Sequence, residues 1–242
     1  MTARNTVGRD PRTVTQVGDT AASIVQDAAT MGITIEPGTA ENLAAYIGLL
    51  SKWNRVYNLT AIRDPEQMRI QHVLDSLSLL PHLEADGVRS VIDVGTGGGT
   101  PGLILAIMRP DWRITLNDIV QKKIAFLTQA KSALGLNNVA IVNGRVKQLH
   151  FPEGFDAVTS RAFADLADFA RWAGHLVAPR GAMYAMKGLQ PDDEIARLPT
   201  NATVRGVTPL TVPHLHAERH LVVVTFTQAC AQRDRDEDQA AL

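Results

Sequence analysis

The stretch Val91-Ile-Asp93-Val-Gly95-Thr-Gly97-Gly-Gly99-Thr100-Pro-Gly102 limits what this chain can fold into more than any other. An apolar run of strand length enters a turn crowded with glycine, and Pro101 then opens an apolar helical run to Met108. Glycine permits a tight turn and close backbone approach. The helix start behind it offers backbone N–H groups to an anion. Strand, glycine turn and helix in that order form the first unit of an alternating α/β domain.

The rest of the chain extends that unit. Strands are predicted at Arg113–Leu116, Val139–Val142, Ala157–Ser160 and Ala182–Met186, with helices at Val120–Leu134 (closed by Gly135) and Ala164–Val177. Ala202–Leu210 and Leu221–Thr227 are strands with no room for a crossover helix between them, so they should be antiparallel neighbours. The expected fold class is α/β and Rossmann-like, a mostly parallel seven-stranded sheet with an antiparallel C-terminal strand, preceded by a helical extension. In that extension Leu43, Ile47, Leu50, Trp53 and Tyr57 recur at helical spacing, and Trp53 and Tyr57 read as core. A second helix starts at Asp64 (N-cap), Pro65 (first position) and Gln67 (capping box), and should run to about Leu80, before Pro81. The expected organisation is a mobile tail at 1–18, a helical portion at 19–85, an α/β domain at 86–229 and a charged tail at 230–242.

Charge and cysteine content narrow the setting. The 242 residues carry 24 Lys+Arg and 25 Asp+Glu, a net charge of −1. The charge is uneven: −2 over residues 1–85, +3 over 86–229 and −2 over 230–242. The α/β part is only modestly basic, so an RNA ligand would be held by a few local contacts and by shape rather than by bulk phosphate neutralisation. A single cysteine, Cys230, forms no internal disulfide and fits a reducing compartment. The N-terminal stretch has no apolar core of a secretory signal, and no apolar run reaches the roughly 18 residues of a membrane span. The expected location is cytoplasmic, away from membranes, with no obligate protein partner implied.

The glycine loop admits two cofactor classes. Gly97-x-Gly99-x-x-Gly102 with Asp118 downstream matches the dinucleotide fingerprint. S-adenosylmethionine asks for the same backbone donors for its carboxylate and an acid such as Asp118 for its ribose. Three features favour the second. The glycines start earlier, as Asp93-x-Gly95-x-Gly97-x-Gly99, so the strand-end Asp93 can receive an ammonium directly or through water. Pro101 lacks the N–H that a pyrophosphate would use. The antiparallel closing strand suits a methyltransferase.

Several blocks outside the loop carry a resemblance. They are Trp53-Asn-Arg-Val-Tyr-Asn-Leu-Thr-Ala-Ile62, His72-Val-Leu-Asp-Ser76, Lys122-Lys-Ile-Ala-Phe-Leu127, Phe155-Asp-Ala-Val-Thr-Ser-Arg-Ala162 and Met186-Lys-Gly188. With the loop they span about residues 40 to 188, and in that order the chain resembles the bacterial 16S ribosomal RNA (guanine-N7) methyltransferase G family, also called glucose-inhibited division protein B. The resemblance implies a class I S-adenosylmethionine-dependent enzyme that methylates N7 of one guanosine in the 530 loop of 16S rRNA, as free RNA or in the 30S subunit. It implies cofactor contacts at Gly95, Thr100, Val146, Lys147 and Arg161. Thr100 stands where the family usually has Leu, and Lys147 where it usually has an acid; backbone contacts survive both changes.

Further expectations follow from chemistry and placement. Guanine N7 is an unprotonated lone-pair acceptor, so no obligatory general base is expected and Arg161 should position rather than abstract. Its fork can bind guanine, a phosphate or a carboxylate that sets the site. Arg145 and Lys187 are candidate RNA contacts. His72, Asp75 and Ser76 share a helix face expected to pack toward the cofactor loop, and Asn58 and Thr60 sit in the loop between helices, where they can close over substrate. His214, His216 and His220 lack a thiol or well-spaced carboxylate to complete a metal site, so no metal is expected.

Overall fold

A computed structural model describes residues 11–227 apart from 162 and 164, with 11–16 described by their backbone alone. The expected 230–242 tail, Cys230 and residues 1–10 lie outside the described residues. Helix α1 (Pro11–Thr30) begins inside the stretch expected to be a tail. Ala21, Ile24 and Ala28 of α1 are buried at three- and four-residue steps, and α1 lies along α2 (Pro37–Tyr57). That anchorage lets the helix propagate back to Pro11, a residue suited to a first turn.

The next helical stretch departs from a simple helix ending at Leu80. Asp64 caps it, accepting from the N–H groups of Glu66 (3.4 Å) and Gln67 (3.3 Å). The side chain of Gln67 accepts from Gln71 instead of returning to Asp64, so the expected capping box is half formed. Helix α3 (Pro65–Met68) passes into a π-helical segment at Arg69–Leu74, then α4 (Asp75–Leu77) and α5 (Leu80–Ala85). Pro81 begins α5 rather than ending a helix, because its missing N–H costs nothing in a first turn.

Alternation then sets in: β1 (Ser90–Val94), α6 (Gly102–Met108), β2 (Arg113–Asp118), α7 (Gln121–Ala133), β3 (Val139–Asn143), β4 (Phe155–Ser160), α8 (Leu166–Ala173) and β5 (Val177–Lys187). The short α9 (Asp192–Ile195) leads to β6 (Ala202–Pro209) and β7 (His220–Phe226). The sheet order is β3-β2-β1-β4-β5-β7-β6. Strands β1 to β5 pair in parallel, and β7 runs antiparallel to both β5 and β6. This is the mixed seven-stranded sheet expected from the strand spacing.

Both faces of the sheet are covered. Along β1, Val91 joins a core shared with α1–α5, while Ile92 and Val94 join a second core with Phe169 of α8 and Val222 and Val224 of β7. The N-terminal helices therefore pack as one cover of the sheet, continuous with its core. Strand order reverses between β1 and β4, and the turns at their carboxyl ends flank the crevice where open α/β sheets bind ligands.

Candidate active site

The glycine loop is braced from beneath by two strand-end carboxylates. Asp93, at the end of β1, is completely buried; its Oδ2 accepts from Thr96 Oγ1 (2.5 Å) and from the Gly102 N–H (2.8 Å). Burial pushes its carboxyl up to about 6, against the opposing pull of Thr96 and the Gly102 N–H. Its Oδ1 is buried with no protein partner. Asp118, at the end of β2, accepts from the Gly97 N–H (3.0 Å), the Val120 N–H (2.9 Å) and Lys123 Nζ (3.3 Å). Gly97 (φ 60°) and Gly99 (φ 91°) adopt left-handed conformations that side chains resist. At Gly102 a Cβ would lie 2.2 Å from Leu116 Cδ2, so the helix and strand can approach only without one. From above, the buried Tyr46 hydroxyl donates to the Gly98 carbonyl (2.8 Å).

One expectation needs correction here. The start of α6 does not hold its N–H groups open for an anion: Asp93 takes the Gly102 N–H and the Gly99 carbonyl takes that of Leu103 (2.7 Å). Asp93, being enclosed, acts first on the loop itself. The donor set still fits S-adenosylmethionine. An unpartnered buried carboxylate oxygen lies under the loop, Asp118 keeps one acceptor site on Oδ1 for a ribose hydroxyl, and the exposed Ile119 beside it offers an apolar surface to a flat ring.

Arg161, just after β4, faces the loop from the other side of the crevice. Its Nη1 donates to the Gln71 carbonyl and to Asp75 Oδ2 (3.0 Å), and its Nη2 to His72 Nδ1 (2.9 Å) and Thr100 Oγ1 (2.7 Å). Four of its five N–H donors are thus engaged within the protein. Of the roles open to it from sequence, the geometry selects pairing with a carboxylate that sets the site. Guanidinium only donates, so His72 Nδ1 accepts and Nε2 carries the proton to Thr60 Oγ1 (3.1 Å). Burial, then the neighbouring Arg161 charge, pushes the His72 pKa down to about 3. Thr60 is itself held by the buried Asn54, whose Oδ1 accepts from the Thr60 N–H (2.9 Å).

Asp75 is 1% exposed and shared between two arginines: Oδ2 takes Arg161 and Oδ1 takes Arg219 Nε (3.0 Å). A cavity of about 320 Å³ opens there, lined by Ile62, Gln71, His72, Asp75, Arg161, Met186, Lys187, Gly188 and Arg219. Lys187 pairs with Glu194 (2.7 Å) at its rim.

The remaining expected residues fall outside this cluster. Ser76 is buried but bonds its own helix at the His72 carbonyl (2.5 Å). Asn58 is exposed, caps α2 in a left-handed conformation and accepts from Arg63 (3.3 Å). Arg145 is exposed at the start of the 3-10 turn Val146–Gln148; Val146 is buried in the second core. Lys147 places its ammonium 4.1 Å from the Trp172 ring centroid, turned toward α8. Tyr57, expected as core, is 44% exposed, because it is the final residue of α2, where the chain turns away at Asn58; Trp53 stays partly buried against Phe126. His214 pairs with Asp27 (3.0 Å) and His220 with the Gly188 carbonyl (3.0 Å), away from each other's chemistry. Sequence reading missed Asn54, Tyr46, Gln71 and Arg219. Asn54 carried a signal, a polar residue four after Leu50 on the buried stripe. Arg219 carried none.

Known proteins match this architecture. An O-methyltransferase from Bacillus cereus, solved in complex with SAH, aligns with a TM-score of 0.54 at 17% identity, covering 84% of this chain and 97% of that one. TomG from Streptomyces achromogenes, an O-methyltransferase in complex with SAM, aligns at 0.51 and 14% identity, covering 75% and 89%. These likenesses establish the class I methyltransferase fold. By sequence, the ribosomal RNA small subunit methyltransferase G of Burkholderia multivorans is 55% identical over 210 residues, 85% of this chain and 92% of its own. That of Burkholderia pseudomallei is 54% identical over 213 residues, 86% and 92%. The family described as rRNA small subunit methyltransferase G (GidB) matches residues 39–222, and this chain belongs to that family.

Proposed function

We propose that this protein transfers the methyl group of S-adenosylmethionine to N7 of a guanosine in the 530 loop of 16S rRNA, in the cytoplasm, on the free RNA or the 30S subunit. One observation carries the reading beyond family membership. A cavity of about 320 Å³ is linked to the glycine loop through the Arg161–Thr100 hydrogen bond, and two titratable acceptors on its wall, His72 and Asp75, are both occupied by arginine. A site that had to remove a proton would leave one of them open. N7 needs none removed.

When bound, the cofactor supplies a methyl group already activated on a sulfonium. The protein then has to orient the base and exclude water. On the cofactor side we assign Asp93, Gly95, Gly97, Gly99, Thr100 and Asp118, with Val146 and Lys147 contributing through their backbone. Arg161 and Asp75 fix the wall between the two ligands, and His72 and Thr60 extend it to the loop after α2. Arg219 and Lys187 give the cavity its positive charge; Lys187 must exchange Glu194 for a phosphate to use it. We assign the exposed Arg145 and Asn58 to flanking RNA. Among the described residues no helix is long and apolar enough to cross a membrane.

The test is reconstitution. Small-subunit RNA and 30S subunits from cells lacking the family's gene are incubated with the purified protein and methyl-labelled cofactor, and N7-methylguanosine is mapped. A mark at the 530 loop is expected. A mark elsewhere overturns the substrate, and calorimetric binding of NAD with none of S-adenosylmethionine overturns the activity.

A further inference from the structure

We propose that Thr100 is a positioning residue that couples the two ligands of this site, its hydroxyl making the glycine loop and the acceptor cavity respond to each other through Arg161. The inference rests on the function proposed above and adds a link between its cofactor and RNA sides.

Thr100 closes the glycine loop, is 5% exposed, and is itself tied into the turn by its N–H to the Thr96 carbonyl (3.1 Å). Its Oγ1 accepts from Arg161 Nη2 at 2.7 Å. The same planar group holds the Gln71 carbonyl and Asp75, both on the cavity wall, and His72, behind which Thr60 and Asn54 follow. A guanidinium is rigid, so a shift that keeps the Thr100 bond must move or strain the other three. Loop and wall are thereby one mechanical unit joined at a charge-assisted hydrogen bond. A valine at residue 100 keeps the shape and loses the bond. Arg161 then rests on the helix contacts alone, and the loop can settle around a ligand without the wall following.

Coupling of this kind is reciprocal and is measured as a ratio of affinities. The probe is dye-labelled, unmethylated small-subunit RNA, titrated with the full-length protein with and without saturating S-adenosylhomocysteine; the reverse titration follows that compound by calorimetry with and without RNA. Wild type should bind RNA about tenfold tighter with the compound present, a factor of the size of one hydrogen bond to a charged group. In T100V the factor should fall to within about twofold, and T100S, which keeps the hydroxyl, should restore it. Loss of a bulk structural role would weaken both titrations without removing the ratio. T100A replaces T100V if the latter fails to fold. An unchanged factor in T100V or T100A, or a wild-type factor near one, overturns the coupling alone. Failure of the wild-type protein to bind either ligand overturns the proposed function, and the coupling with it.

Discussion

The two sides of Arg161 are made of different material. On the loop side, the carboxylates that brace the loop reach it over short spans: Asp93 reaches Thr96 and Gly102, three and nine residues away, and Asp118 reaches Gly97, 21 away. These contacts join carboxylates to backbone N–H groups and a hydroxyl. On the helix side, contacts are long: Arg161 meets Asp75 across 86 residues, and Arg219 meets the same carboxylate across 144. They join formal charges. The loop side is shaped by backbone geometry, and the helix side exists only once the whole domain has closed. Breaking the first should act on the loop itself, and breaking the second should act on the docking of whole elements.

The largest effect should therefore come from Asp75. Asp75→Ala removes a buried carboxylate and leaves two guanidiniums without their counter-charge. Loss of one partner of a buried pair costs about 3 kcal/mol at the lower end of its range, appropriate because both arginines keep some access to water. Urea denaturation should show that loss, and transfer should fall with it. If stability is unchanged, the helix side is not held by this pair. Gly102→Ala strikes the loop side. Its Cβ meets Leu116 and Asp93 Oδ2 at 2.2 and 2.9 Å, and overpacking of that kind costs about 2 kcal/mol. Calorimetry should show cofactor affinity weakened by more than tenfold, on the order of the same energy. Normal affinity would mean that the loop does not depend on this close approach.

The smallest effect distinguishes the sides by sign. Folded His72 titrates near 3 against an ordinary 6.5, so its contribution is present above pH 6.5 and is lost as pH falls toward 3; at pH 5 that loss is about 2 kcal/mol. Folded Asp93 titrates near 6 against 3.8, so the native state holds a proton that the unfolded chain releases, and stability rises as pH falls through that window, by about 1 kcal/mol at pH 5. Together they leave a net loss of about 1 kcal/mol from pH 8 to pH 5. Replacing Asp93 by Asn should steepen the acid loss and replacing His72 by Asn should reverse it. Equal slopes in both variants would remove the contrast.

The same division explains what the sequence revealed. The strand, glycine turn and helix at 91–108 were legible because each residue's role depends on near neighbours: five glycines, one proline and an acid at the strand end. The sheet followed from alternation and from the short link between the last two strands. Asp75 and His72 were placed on a helix face toward the loop by spacing alone, and Arg161 at the right strand end. Their mutual pairing was not legible, since nothing local tells an arginine which of several acids it will meet. Arg219 had no pattern around it, and Tyr57 looked like core because a stripe of apolar residues does not announce where its helix stops meeting the helices it packs on.

The π-helical segment at Arg69–Leu74 has a consequence for phase. A π turn is an α-helix carrying a surplus residue, and one residue is worth about 100° of rotation about the axis. At its first residue, Arg69 points back to Asp27 and Glu66; just after it, Asp75 points across to the arginines. One continuous helical stretch thus serves two sets of partners, with the surplus residue setting the angle between them. Deleting one residue from this segment would leave composition and charge pairs nearly intact on paper, yet it would turn Asp75 a quarter-circle or more away from both arginines. In this protein the count of residues along one helix is as much a part of the site as their identity.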